Sequence, residues 1–288
     1  MIVNFIGVLF DGIAYGSLLF LISIGLSVTM GLMNFVNLAH GAFAMAGGFA
    51  CAVAMNRFGM PFLATLPLAF VLGAAIGAML ERTLYRRLYR ASHLDQVLFS
   101  IGLTFMAVAA ATWAFGSSQQ LVRLPDALRG QVRVAGVDFG IYRLFLVAMV
   151  AAITAVLGVV VARTRFGAQV RAAVDDAEAA RGLGIDVDRI FAVTFALGSG
   201  LAALGGALGI EVLGLDPSFA LKFLVYFLIV VVVGGAGTVR GPLIAALLLG
   251  VIDVAGKYYV PRAGAFAIYA AMVILLLVFP AGLYGRRA

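Results

Sequence analysis

Charge is scarce in this chain. Asp, Glu, Lys and Arg together supply 11% of its 288 residues, against about 25% in an average soluble domain. So few charges cannot cover the surface of a soluble protein of this length, which excludes a cytosolic globular enzyme and a disordered chain. Cysteine is nearly absent. Cys51 stands alone, so an intrachain disulfide scaffold and a CxxC metal or redox motif are both excluded. The two histidines, His40 and His93, fall in unlike settings and in no metal-ligand spacing. No nucleophile is paired with a base, so the sequence argues against a membrane hydrolase and calls for neither metal nor cofactor.

What abounds is apolar. Hydrophobic residues make up 64% of the chain and the mean hydropathy is +1.12. This is the composition of an integral membrane protein. A hydrocarbon core of about 30 Å needs about 20 helical residues, and on that ruler the apolar blocks fall near 5–32, 34–55, 61–83, 96–115, 142–162, 190–213, 219–235, 240–257 and 264–281. Two are interrupted by glycine and polar residues. The expected fold is therefore an all-α polytopic bundle of eight to nine segments, some broken or re-entrant, forming one transmembrane domain over 1–288. Alternating ten-residue segments of a barrel are missing. The first block carries Asp11 and no basic leader, so it reads as a span rather than a cleavable signal.

The net charge of +7 comes almost wholly from arginine, Lys222 and Lys257 being the two lysines. The arginines sit in short links, where they orient a membrane protein rather than bind nucleic acid. Arg82, Arg86, Arg87 and Arg90 in 81–95, five arginines in 163–189, and Arg286 and Arg287 place those links in the cytoplasm. Nine full spans then put the N-terminus outside; a re-entrant block among the first three puts it inside. Small residues four apart (Gly12 and Gly16, Gly73 and Gly77, Gly198 with Ala202 and Gly206) mark closely packed helices.

Three segments carry chemistry. If Met33–Gly48 is helical, Asn37, His40, Gly41, Ala44, Met45 and Gly48 fall on one face. Polar groups at that depth must meet protein or water, so Asn34, Asn37, His40, Gly41 and Met45 line or gate a pathway, or else bond neighbouring helices around a break. Asp11 is the other candidate for the path. The second segment is the link 163–189, Ala-rich with charges at helical spacing and closed by Gly182 and Gly184. Arg171 with Asp175, and Glu178 with Arg181, suit pairs on a helix surface, as in an element that docks a soluble partner. The third is Val233–Pro242, whose Gly234, Gly235, Gly237 and Gly241 mark a helix break inside the bundle. It lacks the Gly-Lys-Ser/Thr ending of a phosphate loop, as does the whole chain. Asp253 and Lys257, four apart, suit a structural pair, and Glu211, Asp216 and Lys222 flank a break at the expected outer mouth.

Together these segments resemble the LivH-type permease subunits of ABC importers for branched-chain amino acids. The likeness rests on Asn37-x-Ala39-His40-Gly41-x-x-x-Met45-x-Gly47, on Arg171-Ala172 through Asp176 with Leu183-Gly184-Ile185, and on Gly234-Gly235-x-Gly237-Thr238-Val239-x-Gly241. In order and spacing it covers essentially the whole chain. It departs at Arg240, where the family commonly has proline; here Pro242 follows two residues later.

The resemblance implies a bacterial inner-membrane subunit that pairs with a second, related permease. It also implies two cytoplasmic ATP-binding subunits and a periplasmic solute-binding protein. Arg171, Asp175, Asp176, Glu178, Leu183 and Gly184 would then be the coupling element, with ATP hydrolysis on the partners rather than on this chain. Related permeases carry urea, short amides or aromatic acids, which are alternative substrates. An ion-coupled secondary transporter is the rival from another class, with Asp11 as its coupling carboxylate.

Overall fold

The computed structural model describes residues 2–33, 35–89 and 91–284. Among them are eleven helices and one two-stranded hairpin. The helices are α1 (Ile2–Met33), α2 (His40–Phe58), α3 (Phe62–Leu88), α4 (His93–Phe115), α5 (Ile141–Arg163), α6 (Arg165–Asp175), α7 (Ala177–Gly182), α8 (Val187–Leu213), α9 (Phe219–Gly234), α10 (Arg240–Tyr259) and α11 (Gly264–Val278). Six of them (α1, α3, α4, α5, α8 and α10) are long and apolar enough to cross a bilayer, and α9 and α11 are shorter apolar helices. The nine apolar blocks of the sequence thus correspond to nine helices. The chain is an all-α polytopic membrane protein.

Glycine sets the architecture. α8 lies at the centre, buried along most of its length, with α1, α2 and α3 packed on it. These helices approach backbone to backbone. A Cβ on Gly206 would collide with the Ala44 backbone, one on Gly47 with Ala203, and one on Gly25 with Gly198. Gly73 and Gly77 of α3 make room for the side chains of Ala203 and Ser199, and Gly12 and Gly16 of α1 lie on the backbone of α10. Between helices in lipid no hydrophobic force acts, so close approach through small residues is what holds them. By contrast, α4 and α5 have few buried positions and form the rim.

Two interruptions position the rest. Residues 35–39 are not helical although largely buried, and exposed backbone at membrane depth is tolerated only inside protein. The second is a π-helical turn, Glu81–Tyr85, inside α3. It turns Glu81 and Tyr85 into the core, 2% and 0% exposed.

At one end of the bundle β1 (Gln131–Val134) pairs with β2 (Val137–Gly140) around Ala135 and Gly136, both at positive φ, the backbone a tight two-residue hairpin requires. Phe139 packs edge-on against Phe10, ring centres 4.9 Å apart. The first turns of α1 are therefore at the hairpin end. Its last turn meets Gly237 and α6 at the other, arginine-rich end. Of the two placements left open by the sequence, the structure has the start of α1 opposite the 163–189 link.

Candidate functional site

The Asn37–Gly48 stripe is built into the chain's own interior, and Asn37 does not share the helical face expected of it, since α2 begins only at His40. His40 Nε2–H donates to the Ile22 carbonyl at 2.8 Å. The Asn37 side-chain oxygen accepts the Ala39 N–H and the Tyr85 hydroxyl, both at 3.0 Å. Ser100 and Thr104 of α4 reach the carbonyls of Val36 and Leu38 at 3.4 and 3.3 Å. Side chains thus replace the partners that a helix would have given these backbone groups, each costing several kcal/mol if left bare in lipid. Gly41 lets α2 approach Ala220 of α9, and Met45 is buried. The more open face of α2 is the opposite one, Ala42, Ala46, Ala50 and Val53, which with α4 forms an apolar groove. Asn34 lies outside the described residues. Tyr85, Ser100 and Thr104 were missed in the sequence, yet Gln96, Ser100 and Thr104 stand four apart in an apolar span, and that polar stripe was a usable signal.

The link 163–189 and the glycine break are brought together. α9 ends at Gly234; Gly235 and Gly237 turn the chain at positive φ, and α10 starts at Arg240. Gly237 N–H donates to Ser27 O at 2.9 Å, and Ser27 Oγ to Thr238 O at 3.1 Å, tying the turn to α1. Gly241 and Gly234 pack face to face with no room for a Cβ. Beside them a cavity of about 400 Å³ is lined by Gly31, Val170, Arg171, Val174, Asp175 and Gly237, among others. Here the end of α1, the break and the face of α6 meet.

α6 is also bolted to α5. The Arg171 guanidinium donates to the Val161 carbonyl in the last turn of α5, where carbonyls lack helical partners. Thr164 caps α6 by accepting from Gly167 N–H at 3.1 Å, and a Cβ on Gly167 would strike the carbonyls of Val160 and Val161. The link is two helices rather than one. Asp176 leaves helical geometry, and its carboxylate accepts the N–H groups of Glu178 and Ala179 at 2.9 Å, starting α7. The Glu178–Arg181 pair expected from spacing is replaced: Arg181 turns to Asp188 at 3.2 Å, which also binds Arg86 at 2.7 Å. A shared carboxylate between two guanidiniums outweighs one exposed pair on a helix surface. Leu183, 81% exposed, stands at the tip before Gly184, whose φ is +83°.

At the hairpin end Asp11 binds Arg143 at 2.5 Å. Asp216 accepts Lys222 at 2.5 Å and caps the turn into α9 through Ser218 N–H at 2.8 Å. Burial alone would raise the Asp216 carboxyl, but the bonds from Lys222 and Ser218 outweigh it and hold it below the usual carboxylate value. Lys257 and Asp253 form the expected pair at 2.5 Å, with Asp253 1% exposed.

Residues 8–280 match the family described as the permease component of branched-chain amino acid transport systems. The chain is 27% identical to the high-affinity branched-chain amino acid transport permease LivH of Salmonella typhimurium, covering 98% of this chain and 96% of that one. It is 26% identical to BraD of Pseudomonas aeruginosa, a permease protein of the same description, over 99% and 97%. It is also 27% identical to the permease protein LivM of Salmonella typhimurium over 80% of this chain and 59% of that one. No solved structure matches it. A match over nearly the whole length, on a polytopic helical frame, places the chain in one family: it belongs to the permease components of branched-chain amino acid transport systems.

Proposed function

We propose that this chain is one permease subunit of an ATP-driven importer in a bacterial inner membrane, moving branched-chain or other hydrophobic amino acids delivered by a periplasmic binding protein. Its partner would be a second, related permease, a reading supported by likeness to both LivH and LivM. Two cytoplasmic ATP-binding subunits would seat on α6 and α7, with the exposed Leu183 at the contact and Arg171, Asp175, Asp176, Glu178 and Gly184 shaping the element. Catalysis of hydrolysis would lie with them.

One observation carries this reading: α6 touches α5, the end of α1 and the Gly234–Gly241 break at a single junction. A push on the link reaches three transmembrane elements at once. Nucleotide moves such a system only by binding one arrangement more tightly than the other, and rocking of the two permease halves then exposes the path alternately. In this scheme Asn37, His40, Gly41 and Met45 gate by holding the start of α2, and Asp11 holds the outer end of α1 to α5.

The test is charge reversal at Arg171 together with Glu178 in the reconstituted importer. The expected result is an inserted chain that still assembles, with ATP hydrolysis no longer coupled to leucine uptake. Unchanged uptake per ATP would remove the coupling role.

A further inference from the structure

At the hairpin end, outside the junction just described, the loop before the hairpin, the start of α5 and the end of α8 enclose a cleft of about 290 Å³. That is the small end of the range for ligand pockets, roughly 300–1,000 Å³, and suits a solute of amino-acid size. Its lining includes two arginines, Arg129 and Arg143, and one glutamate, Glu211. Arg129 commits one nitrogen to Asp126 at 2.8 Å and Arg143 one to Asp11 at 2.5 Å. Each guanidinium has five N–H donors in a planar fork, so both keep donors for another acceptor. Glu211 is exposed and has no hydrogen bond or ion pair among the described residues. Leu124, Leu128 and Val212 supply an aliphatic wall beside them.

From this arrangement we infer a weak receiving site for the zwitterion of an aliphatic amino acid, the guanidiniums taking its carboxylate, Glu211 its ammonium, and the leucine–valine wall its side chain. A simple anion would meet the repulsion of Glu211, and a simple cation that of two arginines. Only a solute with both charges and an apolar tail uses the whole wall. Both arginines are close to half-exposed, so the site holds its ligand loosely, as a step on a path requires. The inference rests on the importer reading and adds where the solute first meets this subunit.

The experiment uses the assembled importer in nanodiscs without nucleotide or binding protein, and reads saturation transfer to L-leucine by NMR. Transfer to L-leucine is expected. Leucinamide, which lacks the carboxylate, and 4-methylpentanoate, which lacks the ammonium, should each show about tenfold less, the scale of one lost charge-assisted hydrogen bond. Arg129→Gln and Glu211→Gln should each lower leucine transfer by a similar factor, with Glu211→Gln bringing leucine down to the level of 4-methylpentanoate. Asp126→Asn, which removes the arginine's own partner, should leave it intact. Absence of transfer in the wild type overturns the site. So does equal transfer in wild type and both variants, or equal transfer to L-leucine, leucinamide and 4-methylpentanoate. ATP-driven uptake by the same nanodisc-derived complex in liposomes tests the importer reading separately, so the two can fail apart.

Discussion

The Tyr85 hydroxyl donates to the Asn37 side-chain oxygen at 3.0 Å, joining residues 48 apart across the core. Asn37 uses that same oxygen to hold the Ala39 N–H, so one amide fixes both the π turn of α3 and the entry to α2. Tyr85→Phe leaves the Ala39 bond in place and should cost about 1 kcal/mol; Asn37→Leu strands a buried hydroxyl and a backbone N–H and should cost about 2–4 kcal/mol. Thermal unfolding followed by circular dichroism in detergent checks the order. Equal losses would show that the two bonds are not joined at Asn37.

The helix crossings make a contrast between glycines. Gly206→Ala pushes a methyl into the Ala44 backbone, whereas Gly158 of α5 has nothing within 4 Å of a Cβ. Overpacking of the first kind costs about 1–3 kcal/mol, while alanine in an unhindered helical position gains up to about 1 kcal/mol. Membrane-inserted yield and melting temperature should fall for Gly206→Ala and hold or rise for Gly158→Ala. A similar fall in both would argue against backbone contact at the α2–α8 crossing.

Leu183 supports no core, being 81% exposed. Leu183→Asp should therefore leave melting unchanged while weakening capture of the ATP-binding subunits by about tenfold or more, as for a central interface residue. Co-purification at graded concentration gives the answer, and full retention would move the docking surface elsewhere.

Asp253 is buried with one carboxylate oxygen on Lys257 and the other without a partner among the described residues. Lys257→Met leaves an uncompensated buried charge and should destabilise by about 3 kcal/mol or more. Adding Asp253→Asn to it should recover much of that loss. If the double variant is as unstable as the single, packing rather than charge explains the site.

The Asp216 carboxyl sits below its unfolded value because of Lys222 and Ser218. A depressed carboxyl contributes stability that is whole above the unfolded value, about pH 4, and disappears as pH falls through the folded value. Lys222→Met should thus lower the melting temperature near neutrality and converge with wild type in acid. Parallel curves across that window would assign the effect of Lys222 to something other than Asp216.

Composition and block length were enough to read an all-α bundle of eight to nine segments, because about 20 apolar residues have few alternatives in lipid. The glycine break was legible for the same reason, since Gly234, Gly235 and Gly237 cannot continue a lipid-facing helix. That this break touches α6 was not, because the contact between Val174 and Gly237 depends on how α1, α6 and α10 converge rather than on any local pattern. The stripe was legible from His40 to Gly48, but Asn37 stands in the non-helical stretch before α2, where side chains satisfy the backbone; and a stripe has no sign, so only packing on Ile22 and α8 reveals that it turns inward. The hairpin was overlooked although Val132, Val134, Val137 and Phe139 alternate around Ala-Gly. The split of the link at Asp176 was overlooked because an aspartate inside an alanine-rich run reads equally as surface charge or as a cap.

The π turn at Glu81–Tyr85 has a consequence for insertions and deletions. A π turn accommodates one residue more than an α turn over nearly the same rotation and rise, so removing one residue from it would restore regular winding and leave the helix beyond almost where it was. The bonds that span the turn, Tyr89 to Glu81 at 2.7 Å and Arg86 to Asp188 at 2.7 Å, would then keep their partners. The same deletion in the regular part of α3 would rotate everything after it by about 100°, so one codon is expendable at this turn and at few other places in the helix.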